Sequence, residues 1–551
     1  MTLCRALVAV CCACLALAQA RAQYLTTESG CLSCHKVPPP DNLFCRAVPV
    51  EVWAQTDKHS RAFHLLHETD PADPAKGDAK RTLVKQILGF DLAGAFDGPN
   101  YQRLKAGGDA ETTRKVAVVK SCLRCHATWP IAADERYPTR PPAPLALGVS
   151  CQACHGPSAR WDLPHREQVW RTVTPAGKAE LGFTDVRTTA AKAGLCTSCH
   201  IGNLAEGKFV KHEWYAAGHP PLPSFELATF EAEMPMHWIP LAKKPKFEFR
   251  DDRPADEGAL ADQLDTLKRA GVPAAAIKPT YRAANFPDAA AKGLDPTRDL
   301  PQARSAVVAG AATLETYARL VGEYSRKSAA GEPGFAWPEL ALYDCAACHH
   351  RLRYDPALER RPMPRGVPGR PPLARWPQRG ALLAAEQAAG YDAGQEADRW
   401  KTVRQPLAEL EAAVLATPFG DPASMQMPAE ALADALFQLA ADASNTAFDA
   451  AAAHRAAYSL TDATHLETAD YTSARQTAWL LRQLFAHQGN EDARRLFLDK
   501  GEDYLHLQLP SKQQGSVIGN LYRWLPAAAA YDPMRFRDEL GVLRKSMPRD
   551  P

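Results

Sequence analysis

Five segments of this 551-residue chain read Cys-x-x-Cys-His: Cys31 to His35, Cys122 to His126, Cys151 to His155, Cys196 to His200 and Cys345 to His349. Two thiols three residues apart can add across the two vinyl groups of a haem, and the histidine directly after the second becomes the proximal axial ligand to iron. Random placement of 15 Cys and 17 His in 551 residues would give on the order of 0.01 such motifs. Five of them imply five covalently attached haems c, held through Cys31, Cys34, Cys122, Cys125, Cys151, Cys154, Cys196, Cys199, Cys345 and Cys348, with His35, His126, His155, His200 and His349 as proximal ligands. A Cys-x-x-Cys pair alone would suit half a zinc site or a redox dithiol, but neither needs a histidine at the next position five times. A disulfide framework does not fit a chain of this length, because stapled scaffolds are short and dense in cysteine.

Each proximal histidine fills one axial position, and the group on the other side of the iron separates an electron carrier from a catalyst. Outside the motifs the haem-bearing stretch offers His59, His64, His67, His165, His212, His219, His237 and His350, eight imidazoles for five positions. Six of them, His59, His165, His212, His219, His237 and His350, are the candidate distal ligands. His64 and His67, at i and i+3 in an apolar stretch, are better suited to packing. His219 precedes Pro220, which holds its backbone extended and fixes how the ring projects. A helical Glu213 to Gly218 would put His212 and His219 on one face, where they could serve neighbouring irons. His350 follows proximal His349 directly, so it can reach only an adjacent haem. Methionine ligation, which raises potentials, is minor, because Met234 and Met236 are the only methionines of the haem-bearing stretch before Lys243.

The elements that must position these groups are expected to be mainly α. Residues 1–22 carry Arg5, an apolar run from Ala6 to Ala18 and Ala20-Arg21-Ala22, the pattern of a secretory signal peptide. Its run is too short to span a bilayer, and no later stretch reaches about 20 uninterrupted apolar residues. A periplasmic or otherwise exported protein, soluble after cleavage, is therefore expected. Cleavage would leave eleven cysteines, ten of them in the motifs, with Cys45 the odd one. Formal charge is +2 and falls to zero without Arg5 and Arg21, which speaks against nucleic-acid binding.

Residues 23–250 hold four motifs, many Pro and Gly and few sustained apolar periods, as expected of a tetrahaem cytochrome c domain of short helices and long loops around stacked haems. Residues 251–377 are expected to form a helical bridge, with helices over Ala259 to Gly271 and Arg304 to Tyr324, followed by the fifth motif and a Pro-rich linker over 360–377. Residues 378–551 turn to Ala, Leu, Gln and Arg with helical periods such as Leu432, Leu436, Leu439 and Ala478, Leu481, Phe485, and contain no Cys. They predict an Ala-rich α-helical C-terminal domain without haem, whose His454, His465, His487 and His506 are surface or packed side chains.

Cys122-Leu-Arg-Cys125-His126, Gly148-Val-Ser-Cys151-Gln-Ala-Cys154-His155-Gly156-Pro157 and Cys196-Thr-Ser-Cys199-His200 resemble the exported bacterial multihaem cytochromes of the cytochrome c-554 and c-prime group. The flanking phrases Trp53 to Phe63, His212 to Glu226 and Tyr343 to Leu352 extend the resemblance over residues 31 to about 352. It implies that His59 is distal ligand to the haem of Cys151 and Cys154, that His165 serves the first haem, and that His219 and His212 follow. It also implies a five-coordinate haem at Cys122 and Cys125. The fifth motif and the C-terminal helical domain are additions to that pattern.

The expected function is electron transfer through mostly bis-His haems, with periplasmic redox proteins as partners and a membrane-bound electron-transfer complex as a further one. The alternative is a multihaem oxidoreductase acting on a small nitrogen or sulfur compound at an open iron. Related pentahaem nitrite reductases carry a proximal lysine at the catalytic haem, whereas all five motifs here end in histidine. A third reading makes the C-terminal domain an adaptor that docks the haem module.

Overall fold

The computed structural model describes residues 31, 35, 51–67, 85–86, 118, 120–128, 148–238, 256–285, 300–349, 369–388, 396–446, 448–462, 470–487 and 531–547. The signal-like segment 1–22, Cys34, Cys45, His350, His465 and His506 lie outside the described residues, as do the side chains of His64, His67 and His487. The main helices are α1 (Cys151–His155), α2 (Thr189–His200), α3 (His212–Ala216), α4 (Leu227–Glu233), α5 (Glu257–Arg269), α6 (Pro301–Ala329), α7 (Gln378–Ala388), α8 (Glu396–Ala416), α9 (Pro422–Ser444), α10 (Ala450–Leu460), α11 (Tyr471–His487) and α12 (Pro533–Ser546). Among the described residues there is no strand, only isolated antiparallel bridges such as Asn203 to Lys208 and Tyr343 to Leu373. The mainly α expectation holds, and α5 and α6 fall on the two helical segments read from periodicity. No described helix is long and apolar enough to cross a membrane.

Contacts divide the chain into two compact units, one from residues 1–187 and 234–291, the other from 188–233 and 292–551. This grouping differs from the composition-based segments. The first three motifs belong to the first unit, and the fourth belongs to the second together with the fifth. Side chains on α2 give the reason: Thr197 Oγ1 lies 2.9 Å from Thr316 Oγ1 of α6. Ala193 of α2 is buried in a cluster with Phe225, Leu227, Ala309 and Ala312.

The second unit is organised by α6. Pro301 occupies the first turn, where its missing N–H costs nothing, and Val307, Ala311, Leu314, Ala318 and Val321 form a buried stripe at helical spacing. Its apolar core continues through Leu432 and Leu436 of α9 and Ala478, Leu481 and Phe485 of α11. Gly310 of α6 and Gly380 of α7 meet backbone to backbone, because a Cβ on Gly380 would stand 2.6 Å from the Gly310 Cα. Of the Pro-rich stretch 360–377, the described end is packed: Asp344 N–H donates to Pro372 O at 3.0 Å, and Leu373 is buried. His454 is a buried side chain stacked near Tyr458, as expected for a packed histidine.

The first unit is built otherwise. One buried apolar cluster of its described residues is Trp161, Val169, Trp170, Val173, Leu181, Leu267 and Val272, and Trp53, Phe63, Leu66 and Leu123 are buried besides. Its short helix α1 and 3-10 turns at Ser158–Arg160, Pro164–Arg166 and Gln168–Thr172 wrap rather than stack.

Candidate metal centres

Every motif with described backbone closes a helical turn, and this is what brings its thiols and imidazole to one side. In a helix, residues i, i+3 and i+4 lie on one face. Cys151–His155 is α1, Cys196 to His200 ends α2, and Cys122 to His126 is helical. His35 N–H donates to Cys31 O at 3.0 Å, and His349 N–H to Cys345 O at 2.7 Å. None of the nine described motif cysteines is in a disulfide.

The histidines are oriented by their second nitrogen. His59 Nδ1 lies 2.9 Å from Asp57 Oδ1, His126 Nδ1 is 3.0 Å from Ala62 O, and His165 Nδ1 is 3.2 Å from Trp161 O. His219 Nδ1 is 2.8 Å from Pro220 O, and His237 Nδ1 is 3.5 Å from Pro235 O. A carbonyl or carboxylate oxygen only accepts, so Nδ1 carries the proton in each case and the lone pair is on Nε2. This is the tautomer of a metal-bound histidine, with its outer N–H held by protein. One of the five is proximal, and four are distal candidates predicted from sequence. Among the described residues no three His, Cys, Asp or Glu side chains converge as a metal cage.

In the first unit the third motif is the hub. Gly156, at φ +80, follows α1 and lets the Gly182 carbonyl approach where a Cβ would collide, while Thr184 N–H donates to His155 O at 3.0 Å. The Gly-Pro tail of the motif is thus explained by a close backbone crossing. Burial pushes the His155 imidazole down to about 4, with His237 and His35 adding like-charge repulsion and His165 contributing after the counteracting Asp185. Burial likewise lowers His126 against the opposing Ala62 carbonyl. Both effects favour neutral imidazole, the form that binds metal. A hydrogen bond with Cys151 lowers the Cys31 thiol to about 7 and puts thiols of the first and third motifs in contact.

His59 is held by two crossings. Val149 N–H donates to His59 O at 2.9 Å, and Thr128 N–H donates to Gly148 O at 2.7 Å, so segments 57–63, 122–128 and 148–152 form one knot. Asp57 was not singled out from sequence. Burial alone would push its carboxyl up, but hydrogen bonds from the His59 ring and N–H outweigh this and hold it below the ordinary carboxylate range. Its place two residues before a histidine at a turn entry was the available signal. Lys178 was also unremarked: it is buried 5.3 Å above the Trp170 ring centre, and burial, with Arg187 nearby, lowers it to about 7.

In the second unit the His200 ring packs 5.9 Å from Phe225 and 5.0 Å from Phe230, centre to centre. The conditional reading that His212 and His219 share one helical face is not what forms. Helix α3 ends at Ala216, and Gly218 at φ +110 turns the chain, with His219 N–H donating to Trp214 O at 2.8 Å. A left-handed glycine ends a helix in this way because no other residue adopts that backbone cheaply. The ring centres of His212 and His349 instead lie 6.2 Å apart. His350 lies outside the described residues.

Residues 97–156, which include the second and third motifs, match the family model of cytochrome c554 and c-prime. No curated protein and no solved structure matches the chain.

Proposed function

We propose that this chain, a haem-based electron-transfer cytochrome of the cytochrome c554 and c-prime family by its residues 97–156, is an exported pentahaem carrier whose haems are mostly bis-His ligated. Haem c, when bound, supplies one-electron cycling of iron between its ferric and ferrous states. The protein residues supply attachment, orientation and burial. Each cysteine pair would fix a haem, and in the second to fifth motifs the proximal histidine follows the pair on the same helical turn. The observation that carries the reading is the set of imidazoles whose Nδ1–H is tied to Asp57, Ala62, Trp161, Pro220 or Pro235, so that Nε2 is the ligating atom.

Numbers within the units support it. Of the six distal candidates, the first unit contains His59, His165 and His237 beside proximal His35, His126 and His155, three candidates for three irons. His165 interacts electrostatically with His35, in keeping with its assignment to the first haem. The carboxylate behind His59 makes that imidazole a stronger donor, and two nitrogen ligands favour low potentials over the higher ones that methionine gives. Residues 1–22 are proposed to direct export, and exported redox proteins are the proposed partners.

Electron paramagnetic resonance of the oxidised protein, before and after adding nitrite, hydroxylamine or nitric oxide, tests the carrier reading. Low-spin signals indifferent to these ligands are expected. A high-spin ferric signal that shifts on their addition would favour an oxidoreductase with an open iron.

A further inference from the structure

We propose that His212 and His349 are the two axial ligands of one iron, that of the fifth motif, so that the segment leaving the fourth motif closes the fifth haem. This rests on the multihaem reading above and names a pair that sequence spacing does not reveal. The two ring centres are 6.2 Å apart and the ring planes are inclined by 29°. Imidazoles bound end-on to one ion from opposite sides, each through a bond of about 2 Å, have their ring centres roughly 6 Å apart. Among the described residues neither ring has a hydrogen-bond partner, since only the backbone N–H of each is engaged, His212 by Glu339 Oε1 at 2.8 Å and His349 by Cys345 O at 2.7 Å. Two imidazoles without a ring hydrogen bond among the described residues, set a ligated ion's width apart, fit a metal that takes nitrogen from both sides.

Glu339 explains how residues 137 apart in sequence are brought into register. The carboxylate is buried, and its Oε1 also accepts from Ala341 N–H at 3.1 Å, capping the 3-10 turn Leu340–Leu342 that leads to Cys345. One oxygen therefore ties the first residue of α3 to the segment that carries the fifth motif. Trp214, two residues further, is buried and anchors the same turn. His200 and His212 lie on one strap folded by the Asn203 to Lys208 bridge, so a single short stretch carries the proximal ligand of the fourth haem and the distal ligand of the fifth. His219, with Nδ1 tied to Pro220 O, is left for another iron.

The test uses the full chain, matured with haem, as wild type, His212→Ala and His212→Met. Haem count by denaturing mass spectrometry and low-temperature electron paramagnetic resonance are measured on each, with a redox titration of the methionine variant. Five haems in all three proteins are expected, with one low-spin centre of the wild type becoming high-spin in H212A and returning to low-spin with added imidazole. In H212M one of the five midpoint potentials should rise, as methionine ligation requires. Five haems with unchanged low-spin intensity in H212A, or with five unchanged potentials in H212M, would overturn the pair while leaving the carrier reading intact. A wild-type protein with no haem on the fifth motif would overturn both. Should H212A not accumulate, H212M decides.

Discussion

A Cys151→Ser, Cys154→Ser double variant is expected to lose one covalent haem and, with it, the fold of the first unit. Among the described residues of that unit the third motif joins separate segments: α1 carries the His155 carbonyl that accepts from Thr184, and Gly156 just after it admits the Gly182 carbonyl. A buried macrocycle removes from water at least the area of two aromatic side chains, roughly 300–500 Å². At about 25 cal/mol per Å² this is roughly 7–13 kcal/mol, as large as the whole stability of an ordinary domain. Limited proteolysis should cut within residues 148–187 in the variant and spare them in the wild type, while the helices α6 to α11 stay resistant in both. A variant that lacks the haem yet resists proteolysis over 148–187 would show that side chains alone hold this unit.

Gly148→Val should be strongly damaging although it lies outside the Cys-x-x-Cys-His motifs. Gly148 sits at φ +61, and a Cβ there would collide with the His59 carbonyl and stand 2.8 Å from Ser60 O. Both obstacles are backbone, so no side chain can swing aside. A left-handed backbone costs a β-branched residue about 1–2 kcal/mol or more, and forced overpacking adds about 1–3 kcal/mol, roughly 2–5 kcal/mol together. The damage falls on the knot that holds the Ala62 carbonyl against His126 Nδ1 and Val149 against His59, so two haem environments should change at once. Denaturation followed by haem absorbance should shift to lower denaturant, and the low-spin spectrum should broaden. An unchanged midpoint would mean that this crossing is slack.

The Cys-x-x-Cys-His pattern was legible in the sequence because its spacing is local, and the described motifs close helical turns as that spacing allows. Helices α6, α9 and α11 were legible for a related reason: their buried faces repeat with the helical period, as Leu432, Leu436 and Leu439 do. Association of segments was hidden. Thr197 meeting Thr316, or Glu339 meeting the His212 N–H, depends on contacts more than 100 residues apart, and a polar residue at the end of a turn looks the same whether it faces water or a distant backbone. The short helix α3 was hidden too, since a five-residue turn has too few residues for a period and is ended by Gly218 rather than by loss of pattern. Asp57 was legible as a turn residue and not as the acceptor behind a ligand, because that role depends on the fold of residues 57–63.

Each of the five Cys-x-x-Cys-His motifs is expected to carry its own haem. Mass spectrometry of the purified mature chain under denaturing conditions, with peptide mapping, tests it directly. Five haems bonded covalently, one on each peptide containing Cys31, Cys122, Cys151, Cys196 or Cys345, is the predicted result. Fewer than five, or haem released on denaturation, would contradict it.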